Sequence, residues 1–300
     1  MERIKGIIPP MVTPLKNESE LDQEGCRKLI EHIIGGRAGG LFILGTTGES
    51  QSLSHKLRHE LVELVCKQVA GRIPVLVGIS DTAIEESLAL AEKAYECGAS
   101  GVVAAAPYYL APSQQEMVEY FSELADKLSL PLYLYNMPSC VKVFLEVETV
   151  LRLSEHPNIV GLKDSSANMT YFQKLLYLLR NKDFALYMGP EEMTAAAVMA
   201  GADGGINGGA NLCPELYTAM YDAAVAQDCE KVTMLQERIM QISTELYSIG
   251  KYGSSYLKGL KCALAELGLC CGHIAWPYRE FVGPEKVKVR QALLKTGIIK

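Results

Sequence analysis

The sequence has no apolar run as long as the roughly 20 residues that a membrane-spanning helix needs. Its first residues, Met1-Glu2-Arg3-Ile4-Lys5-Gly6, lack the apolar segment of a signal peptide. Basic charge is not in excess either, because the formal net charge is -6, whereas a nucleic-acid surface is normally basic. We therefore expect a cytoplasmic protein whose partners are neither membranes nor nucleic acids.

Metal-binding and disulfide motifs are also absent from the sequence. None of the nine cysteines forms a C-x-x-C pair, and none of the five histidines belongs to an H-E-x-x-H motif. Only Cys270 and Cys271 are adjacent. Free cysteines are commonly buried as small hydrophobic residues, so we expect neither a metal centre nor a disulfide framework.

What the chain does contain is a repeated alternation of strand-like and helix-like segments. Helices are predicted where apolar residues recur at three- and four-residue spacing, as in Asp22–Gly36, His55–Val69, Ile84–Cys97, Gln114–Lys127 and Ala167–Leu179. Short apolar segments predict eight strands: Gly6–Thr13, Gly40–Gly45, Pro74–Ile79, Gly101–Ala106, Pro131–Asn136, Ile159–Lys163, Ala185–Gly189 and Gly204–Asn207. Eight βα units favour an α/β fold of the (β/α)8 TIM-barrel type. An open doubly wound sheet is the rival, but the first βα turn lacks its G-x-G-x-x-G motif.

The pattern changes after Asn211. Three segments there have helical periodicity with no strand between them: Pro214–Ala226, Glu230–Ile249 and Gly253–Leu267. No linker or low-complexity segment separates them from the barrel. We predict a catalytic barrel over residues 1–213 and a C-terminal helical appendix, packed on the barrel, over residues 214–300.

Lys163 is the strongest candidate for chemistry, because strand C-terminal ends form the working face of such a barrel. Side chains alternate along a strand, so Ile159, Gly161 and Lys163 share one face, and Gly161 leaves space beneath the amine. An amine held over an apolar barrel mouth loses hydration, which favours the neutral, nucleophilic form. Attack on a ketone then gives a protonated imine. The alternative is a solvated strand-end lysine, or one paired with Asp164.

Two other polar clusters fall at strand ends. Tyr135 shares a strand face with Tyr133, and a phenol beside an amine can move the protons that imine formation needs. The alternative is a core or rim tyrosine. Thr46-Thr47-Gly48 can turn N–H groups and hydroxyls towards a carboxylate, although an ordinary turn leading to a helix cap has the same sequence.

The glycine-rich segment 204–209 lies where barrels often bind phosphate, after the last strands. A phosphosugar barrel is therefore a further interpretation. The segment contains no arginine or lysine, which counts against phosphate binding. A tight turn that lets a ligand approach the backbone is equally compatible with these glycines.

Together, in this order, the clusters resemble the dihydrodipicolinate synthase / N-acetylneuraminate lyase family, from Gly6 to about Leu294. The motifs that carry the resemblance are Gly45-Thr46-Thr47-Gly48-Glu49, Tyr135-Asn136-Met137-Pro138-Ser139 and Gly161-Leu162-Lys163-Asp164. The resemblance implies a (β/α)8 barrel with C-terminal helices, usually assembled as a homotetramer, a dimer of dimers. It also implies a reaction between a 2-oxo acid and an aldehyde.

By motif position, the resemblance implies that Lys163 forms the imine with pyruvate and that Tyr135 transfers protons over it. Thr46 and Thr47, with Gly48 in the same turn, are similar to the cradle of the pyruvate carboxylate, and Thr47 also to a member of the proton relay. Tyr109 is similar to the relay tyrosine that a neighbouring subunit lends. The backbone at Ile206 is expected to face pyruvate. Because the imine is covalent to the protein, no organic cofactor or metal is expected.

The second substrate is less well specified, because the sequence departs from the family pattern at one position. Members that make dihydrodipicolinate usually carry an arginine directly after Y-N-x-P-S, where this chain has Cys140, which cannot make a bidentate carboxylate contact. Glu191 and Glu192 lie where N-acetylneuraminate lyases hold sugar hydroxyls. We therefore expect a 2-keto-3-deoxy sugar acid or its aldehyde as second substrate.

Two alternatives remain open at this point. One is 4-hydroxy-tetrahydrodipicolinate synthase, which condenses pyruvate with aspartate semialdehyde. The other is a non-catalytic pyruvate-binding barrel, against which the intact set of Lys163, Tyr135, Thr47 and Tyr109 argues.

Overall fold

A computed structural model describes residues 3–300 of the chain. Its strands are β1 (Gly6–Ile7), β2 (Leu15–Asn17), β3 (Glu20–Leu21), β4 (Leu41–Ile43), β5 (Val75–Gly78), β6 (Gly101–Ala105), β7 (Leu132–Asn136), β8 (Ile159–Asp164), β9 (Ala185–Met188) and β10 (Gly204–Gly205). Eight of them form a parallel sheet in the order β1-β10-β9-β8-β7-β6-β5-β4. The antiparallel pair of β2 and β3 stands apart from this sheet.

The two edges of the eight-stranded sheet meet at Phe42 of β4. Its N–H donates to the carbonyl of Pro9 at 3.0 Å, and its carbonyl accepts from the N–H of Met11 at 2.8 Å. Pro10 and Phe42 form a parallel bridge at the same place. These contacts close the sheet, so the predicted (β/α)8 barrel is confirmed.

Helices cover the outside of the barrel and form the C-terminal appendix. They are α1 (Gln23–Gly35), α2 (His55–Val69), α3 (Ile84–Glu96), α4 (Gln114–Lys127), α5 (Pro138–Val141), α6 (Val147–Leu153), α7 (Met169–Leu179), α8 (Glu191–Met199), α9 (Pro214–Val225), α10 (Cys229–Tyr247), α11 (Ser255–Glu266) and α12 (Pro284–Lys295). Short 3-10 turns lie at Ser50–Ser52 and Gly208–Asn211. No helix within residues 3–300 combines the length and apolar character needed to cross a membrane.

Helix α4 shows why these segments fold as predicted. Ser113 and Glu116 form a capping box, in which the Ser113 hydroxyl accepts from the Glu116 N–H and the Glu116 carboxylate accepts from the Ser113 N–H. Met117, Phe121 and Leu124 follow at helical spacing and are buried. The observed bounds of α4 are those that the sequence predicts.

Each predicted strand overlaps an observed one, but the first is shorter than expected. The sequence predicts a strand over Gly6–Thr13, whereas β1 ends at Ile7. Pro9 and Pro10 follow directly, and proline has no N–H to donate to a ladder. The chain nevertheless stays beside β4 as far as Met11, through the contacts at Phe42.

Aromatic side chains pack inside the barrel, below the C-terminal ends of its strands. A Cβ on Gly161 would lie 2.8 Å from the ring of Tyr133, so the space that Gly161 leaves is occupied by this ring. Tyr133 and Tyr187 pack with ring centroids 6.1 Å apart, and the Tyr187 hydroxyl donates to the Ile4 carbonyl at 2.6 Å. These aromatic side chains thus pack inside the barrel beside the strand that carries Lys163.

Candidate active site

A cavity of about 430 Å³ opens at the C-terminal ends of the barrel strands. Residues after β4 and β5, at the end of β7 and in α11 contribute to its wall; those with polar groups include Thr46, Thr47, Ser80, Tyr108, Tyr135, Cys140, Tyr256 and Tyr278. Apolar side chains such as Phe42, Val103 and Leu257 line the remainder. An apolar pocket with a few convergent polar groups at this end of a barrel is the expected form of an active site.

Lys163 lies immediately behind this wall. It is the fifth residue of β8, is 4% exposed, and its Nζ lies 4.2 Å from the ring centroid of Tyr135 and 5.1 Å from that of Phe42. Both rings line the cavity. The amine is thus held against the rings of Phe42 and Tyr135, where a small carbonyl substrate in the cavity can reach it.

Asp164 does not pair with Lys163. Its carboxylate accepts from the Asn136 side-chain amide at 2.8 Å and from the N–H and hydroxyl of Ser166 at 3.1 and 3.0 Å. Asn136 in turn accepts from the N–H of Leu145 at 3.1 Å. Asp164 therefore ties the turns after β7 and β8 together, and the strand alternation keeps it on the opposite face from the amine.

Tyr135 and Thr46 form a hydroxyl pair over the amine. Tyr135 on β7 is the register partner of Lys163 on β8, so the two side chains leave adjacent strands at the same level. The Tyr135 Oη lies 3.3 Å from the Thr46 Oγ1. The structure thus brings together a buried amine, a phenol and a threonine hydroxyl, which are the groups that carbonyl addition and proton transfer need.

The turn that carries Thr46 and Thr47 is rigidly anchored. Gly48 is closely surrounded, since a Cβ there would lie 3.0 Å from the Leu44 nitrogen, and its carbonyl accepts from the Thr13 hydroxyl at 2.7 Å. Glu49 adopts a left-handed conformation with φ 59°. Its buried carboxylate pairs with Lys261 of α11 at 2.5 Å and accepts the Ala275 N–H at 2.8 Å.

Tyr109 lies outside this chain's own cavity. It is 86% exposed, beside Leu110, which is 84% exposed, whereas its neighbour Tyr108 lines the cavity. The Lys142 amine lies 5.9 Å from the Tyr109 ring and 3.5 Å from its carbonyl oxygen. The structure therefore does not bring Tyr109 together with Lys163 within one chain.

Cys140 is on the cavity wall, in the short helix α5. Among the described residues that line the cavity, none is a lysine, arginine, aspartate or glutamate. The structure also describes no group of three His, Cys, Asp or Glu side chains within residues 3–300 that could hold a metal ion. The wall of the cavity is thus uncharged.

The placement expected for Glu191 and Glu192 is not the one found, whereas the backbone role expected for Ile206 stays a prediction. Glu191 is buried behind the cavity and accepts three hydrogen bonds from protein groups. Glu192 lies on the outer side of α8, where it accepts from the Ser243 hydroxyl of α10 at 2.5 Å. Ile206 is buried, and its N–H donates to the Met188 carbonyl at 2.9 Å. Neither glutamate lines the cavity, because the start of α8 turns both towards the C-terminal helices.

Tyr256 of α11 also lines the cavity, which the sequence does not predict. Its phenol lies against Gly208, where a Cβ would lie 1.5 Å from the Tyr256 oxygen, and Thr47 lines the same cavity. Burial, with a smaller contribution from Glu191, raises the pKa of Tyr256 well above its usual value. The sequence carries no signal for this placement, because α11 reaches the cavity only through tertiary packing.

A (β/α)8 barrel with a buried amine, a phenol and a hydroxyl-bearing turn at the C-terminal ends of its strands has the groups that a Schiff-base-forming lyase needs. The model of the dihydrodipicolinate synthetase family matches residues 3–296, and the chain belongs to this family. The chain is thus an enzyme of the class I pyruvate lyase kind.

Two curated or solved relatives match over nearly the whole chain. A 4-hydroxy-tetrahydrodipicolinate synthase from Gluconacetobacter diazotrophicus is 31% identical, with 98% of both proteins covered. The structure of dihydrodipicolinate synthase from Bacteroides thetaiotaomicron is 51% identical, with a TM-score of 0.96 over 98% of this chain and 100% of that one.

A third relative was solved with a ligand. The dihydrodipicolinate synthase from Acinetobacter baumannii, complexed with pyruvate, is 29% identical, with a TM-score of 0.92 over 99% of this chain and 100% of that one.

Proposed function

We propose that the chain is a 4-hydroxy-tetrahydrodipicolinate synthase, which joins pyruvate to aspartate semialdehyde through an imine at Lys163. The observation that supports imine formation is the position of the Lys163 amine, which is buried beside the rings of Tyr135 and Phe42 directly behind the cavity wall. The names of the curated relatives support aspartate semialdehyde as the second substrate. This assignment replaces the sugar acid that the sequence alone favours, since Glu191 and Glu192 lie away from the cavity.

In the first half of the reaction, the neutral Lys163 amine adds to the ketone carbon of pyruvate. The tetrahedral adduct then loses its hydroxyl as water, and a protonated imine remains. In this proposal Tyr135 donates the proton that leaves with this hydroxyl. Thr46, rather than the Thr47 that the resemblance implies, returns one to the phenol, a role supported by the 3.3 Å between the two oxygens. The N–H groups and hydroxyls of the Thr46–Gly48 turn hold the pyruvate carboxylate.

In the second half, the protonated imine accepts the electron pair released when the pyruvate methyl group loses a proton. The resulting enamine attacks the aldehyde carbon, and the aldehyde oxygen takes up a proton. The new imine leaves Lys163 through attack by the substrate's own amino group, which closes the ring and frees the lysine amine. Because the protonated imine on Lys163 is the electron sink, the proposed reaction needs no organic cofactor or metal.

Tyr109 completes the proton relay from a neighbouring copy in this proposal. Its exposure and its position outside its own cavity support such a role, and the assembly is a homotetramer built as a dimer of dimers. The Tyr109→Phe variant is expected to lose turnover while Lys163 still traps pyruvate. Full activity of this variant would argue for a relay within one chain.

A second candidate is an aldolase acting on a 2-keto-3-deoxy sugar acid. The uncharged lining and the Cys140 thiol on the wall favour it, because the carboxylate of aspartate semialdehyde finds no cationic side chain there. Several hydroxyl groups, including those of Ser80, Tyr256 and Tyr278, are available to a polyol.

The expected compartment remains the cytoplasm, whose reducing conditions agree with nine free thiols.

The test is a panel of condensation and retro-aldol assays with the purified enzyme. Pyruvate with aspartate semialdehyde is expected to give product at the highest kcat/KM. Cleavage of 2-keto-3-deoxy sugar acids without condensation of aspartate semialdehyde would establish the second candidate instead. Pyruvate bound at Lys163 without turnover of any aldehyde would identify a non-catalytic pyruvate-binding barrel.

A further inference from the structure

A buried carboxylate that the proposed chemistry does not use lies behind the cavity. Glu191 begins α8, which follows β9 at the catalytic end of the barrel. It is 5% exposed, and burial raises its pKa to about 7. Burying a carboxylate costs free energy of folding unless it is hydrogen-bonded. The groups that donate to Glu191 therefore indicate its role.

Three donors from three different segments meet on Glu191. The hydroxyls of Tyr217 on α9 and Tyr247 on α10 donate to its Oε1 at 2.6 and 3.0 Å. The N–H of Gly209, in the 3-10 turn Gly208–Asn211, donates to its Oε2 at 2.8 Å. The carboxylate thus joins this turn to the two helices.

The turn and Tyr247 connect Glu191 to the cavity. Tyr247 packs edge-on against Tyr256, with ring centroids 4.7 Å apart. The Tyr256 phenol lies against Gly208, where no side chain would fit, and it neighbours the Thr47 side chain at the cavity wall. A change at the carboxylate therefore reaches the Thr46–Gly48 turn through one backbone contact and one aromatic contact.

We propose that Glu191 is a positioning residue for the pyruvate end of the cavity, a role that rests on the proposed function. As a carboxylate it accepts all three donors, which fixes the Gly208–Asn211 turn and keeps Tyr256 against Thr47. Protonation places a hydrogen on one oxygen, and that oxygen then loses an incoming donor. The turn and Tyr256 are released, and pyruvate binds less well.

The ionisable groups that face Glu191 come from each packed element. They are the phenols of Tyr217, Tyr247 and Tyr256, the Cys213 thiol before α9, and the Glu192 carboxylate on the same helix. The phenols of Tyr217 and Tyr247 have pKa values well above the usual value, first because of burial and then because of Glu191 itself. Burial raises the pKa of Glu191 to about 7, so its protonation changes near neutral pH.

The experiment measures kcat/KM for pyruvate and the rate of borohydride trapping between pH 6 and pH 9. The wild-type enzyme is expected to gain activity as the pH rises through about 7. Glu191→Gln keeps the shape of the side chain but cannot ionise. It is expected to raise the pyruvate KM at pH 8 about tenfold, the size of one weakened charge-assisted hydrogen bond, and to remove the rise near pH 7.

Glu192→Gln is the matched control, since it is the same substitution one residue along, on the outer face of α8. It is expected to keep the wild-type KM at pH 8. The Glu192 carboxylate raises the pKa of Glu191, so Glu192→Gln is expected to shift the rise in kcat/KM slightly to lower pH. Tyr247→Phe removes one hydrogen-bond donor to the Glu191 carboxylate and is expected to shift the rise in kcat/KM to higher pH.

The possible outcomes distinguish a failure of the role proposed for Glu191 from a failure of the proposed function. A wild-type enzyme that does not trap pyruvate at Lys163 overturns the proposed function and the role of Glu191 with it. Normal trapping, with the same KM and pH profile in Glu191→Gln as in the wild type, overturns only the role of Glu191. Should Glu191→Gln not fold, an unshifted profile in Tyr247→Phe overturns it as well.

Discussion

At the scale of single residues, the chemistry depends on what surrounds the Lys163 amine. The rings of Tyr135 and Phe42 lie 4.2 and 5.1 Å from its Nζ, while the adjacent Asp164 is engaged by Asn136 and Ser166. A strand-end lysine is usually solvated, and here packing removes the water. The side chain of Tyr135 thereby has two roles, as a wall of the amine's pocket and as a hydroxyl paired with Thr46.

Replacing Tyr135 by Phe separates these two roles. The ring and its contact with the amine are kept, and the hydroxyl beside Thr46 is lost. We expect kcat to fall by a factor on the order of 10² to 10³, the usual contribution of a positioned acid–base group. Steady-state kinetics and the trapping rate at saturating pyruvate measure this loss. A kcat within threefold of the wild type would exclude the phenol from proton transfer.

At the scale of secondary-structure elements, the barrel end is held in shape by side chains that join distant segments. Lys261 of α11 reaches Glu49 in the turn after β4, and both are fully buried. Breaking one member of a buried ion pair leaves the other charge uncompensated. The C-terminal helices therefore stabilise the turn that carries Thr46 and Thr47.

Lys261→Met is expected to lower the free energy of unfolding by about 3–5 kcal/mol, because Glu49 then remains buried without a cation. Lys56→Met is the surface control, as Lys56 lies 79% exposed beside Glu60, and its effect is expected to stay within about 0.5 kcal/mol. Urea denaturation of both variants measures the difference. Equal stabilities of the two variants would show that the buried pair contributes little.

Local sequence patterns predict most of the elements but only part of the site. Helix α4 and the strand that carries Lys163 follow from capping and periodicity within a few residues. The positions of Glu191 and Tyr256 do not, because they depend on how α8 and α11 pack against the barrel. The first carboxylate of a helix can point towards the substrate or towards a neighbouring helix. Here Glu191 points towards α9 and α10, because the hydroxyls of Tyr217 and Tyr247 donate to it.

At the scale of the whole molecule, the buried carboxylate of Glu191 opposes stability while it organises the site. Its pKa is about 7 in the folded protein and about 4.5 in the unfolded chain. A carboxyl group whose pKa is raised by folding stabilises the fold fully below the unfolded pKa. That contribution is lost as the pH rises through the folded pKa.

We therefore expect the wild-type protein to lose about 3 kcal/mol of unfolding free energy relative to Glu191→Gln between pH 4.5 and pH 8. The comparison with the variant cancels the other groups that titrate in this range. Urea denaturation of both proteins across this range gives the difference. Parallel stability profiles would show that Glu191 ionises with an ordinary pKa.

The central claim is that Lys163 forms an imine with pyruvate, and borohydride reduction in the presence of pyruvate tests it most directly. Mass spectrometry of the digested protein is expected to find a pyruvate-sized addition on the peptide that contains Lys163, at Lys163 itself. The Lys163→Met variant serves as the control and is expected to show none. An unmodified Lys163, or the same addition in the Lys163→Met variant, would contradict the account.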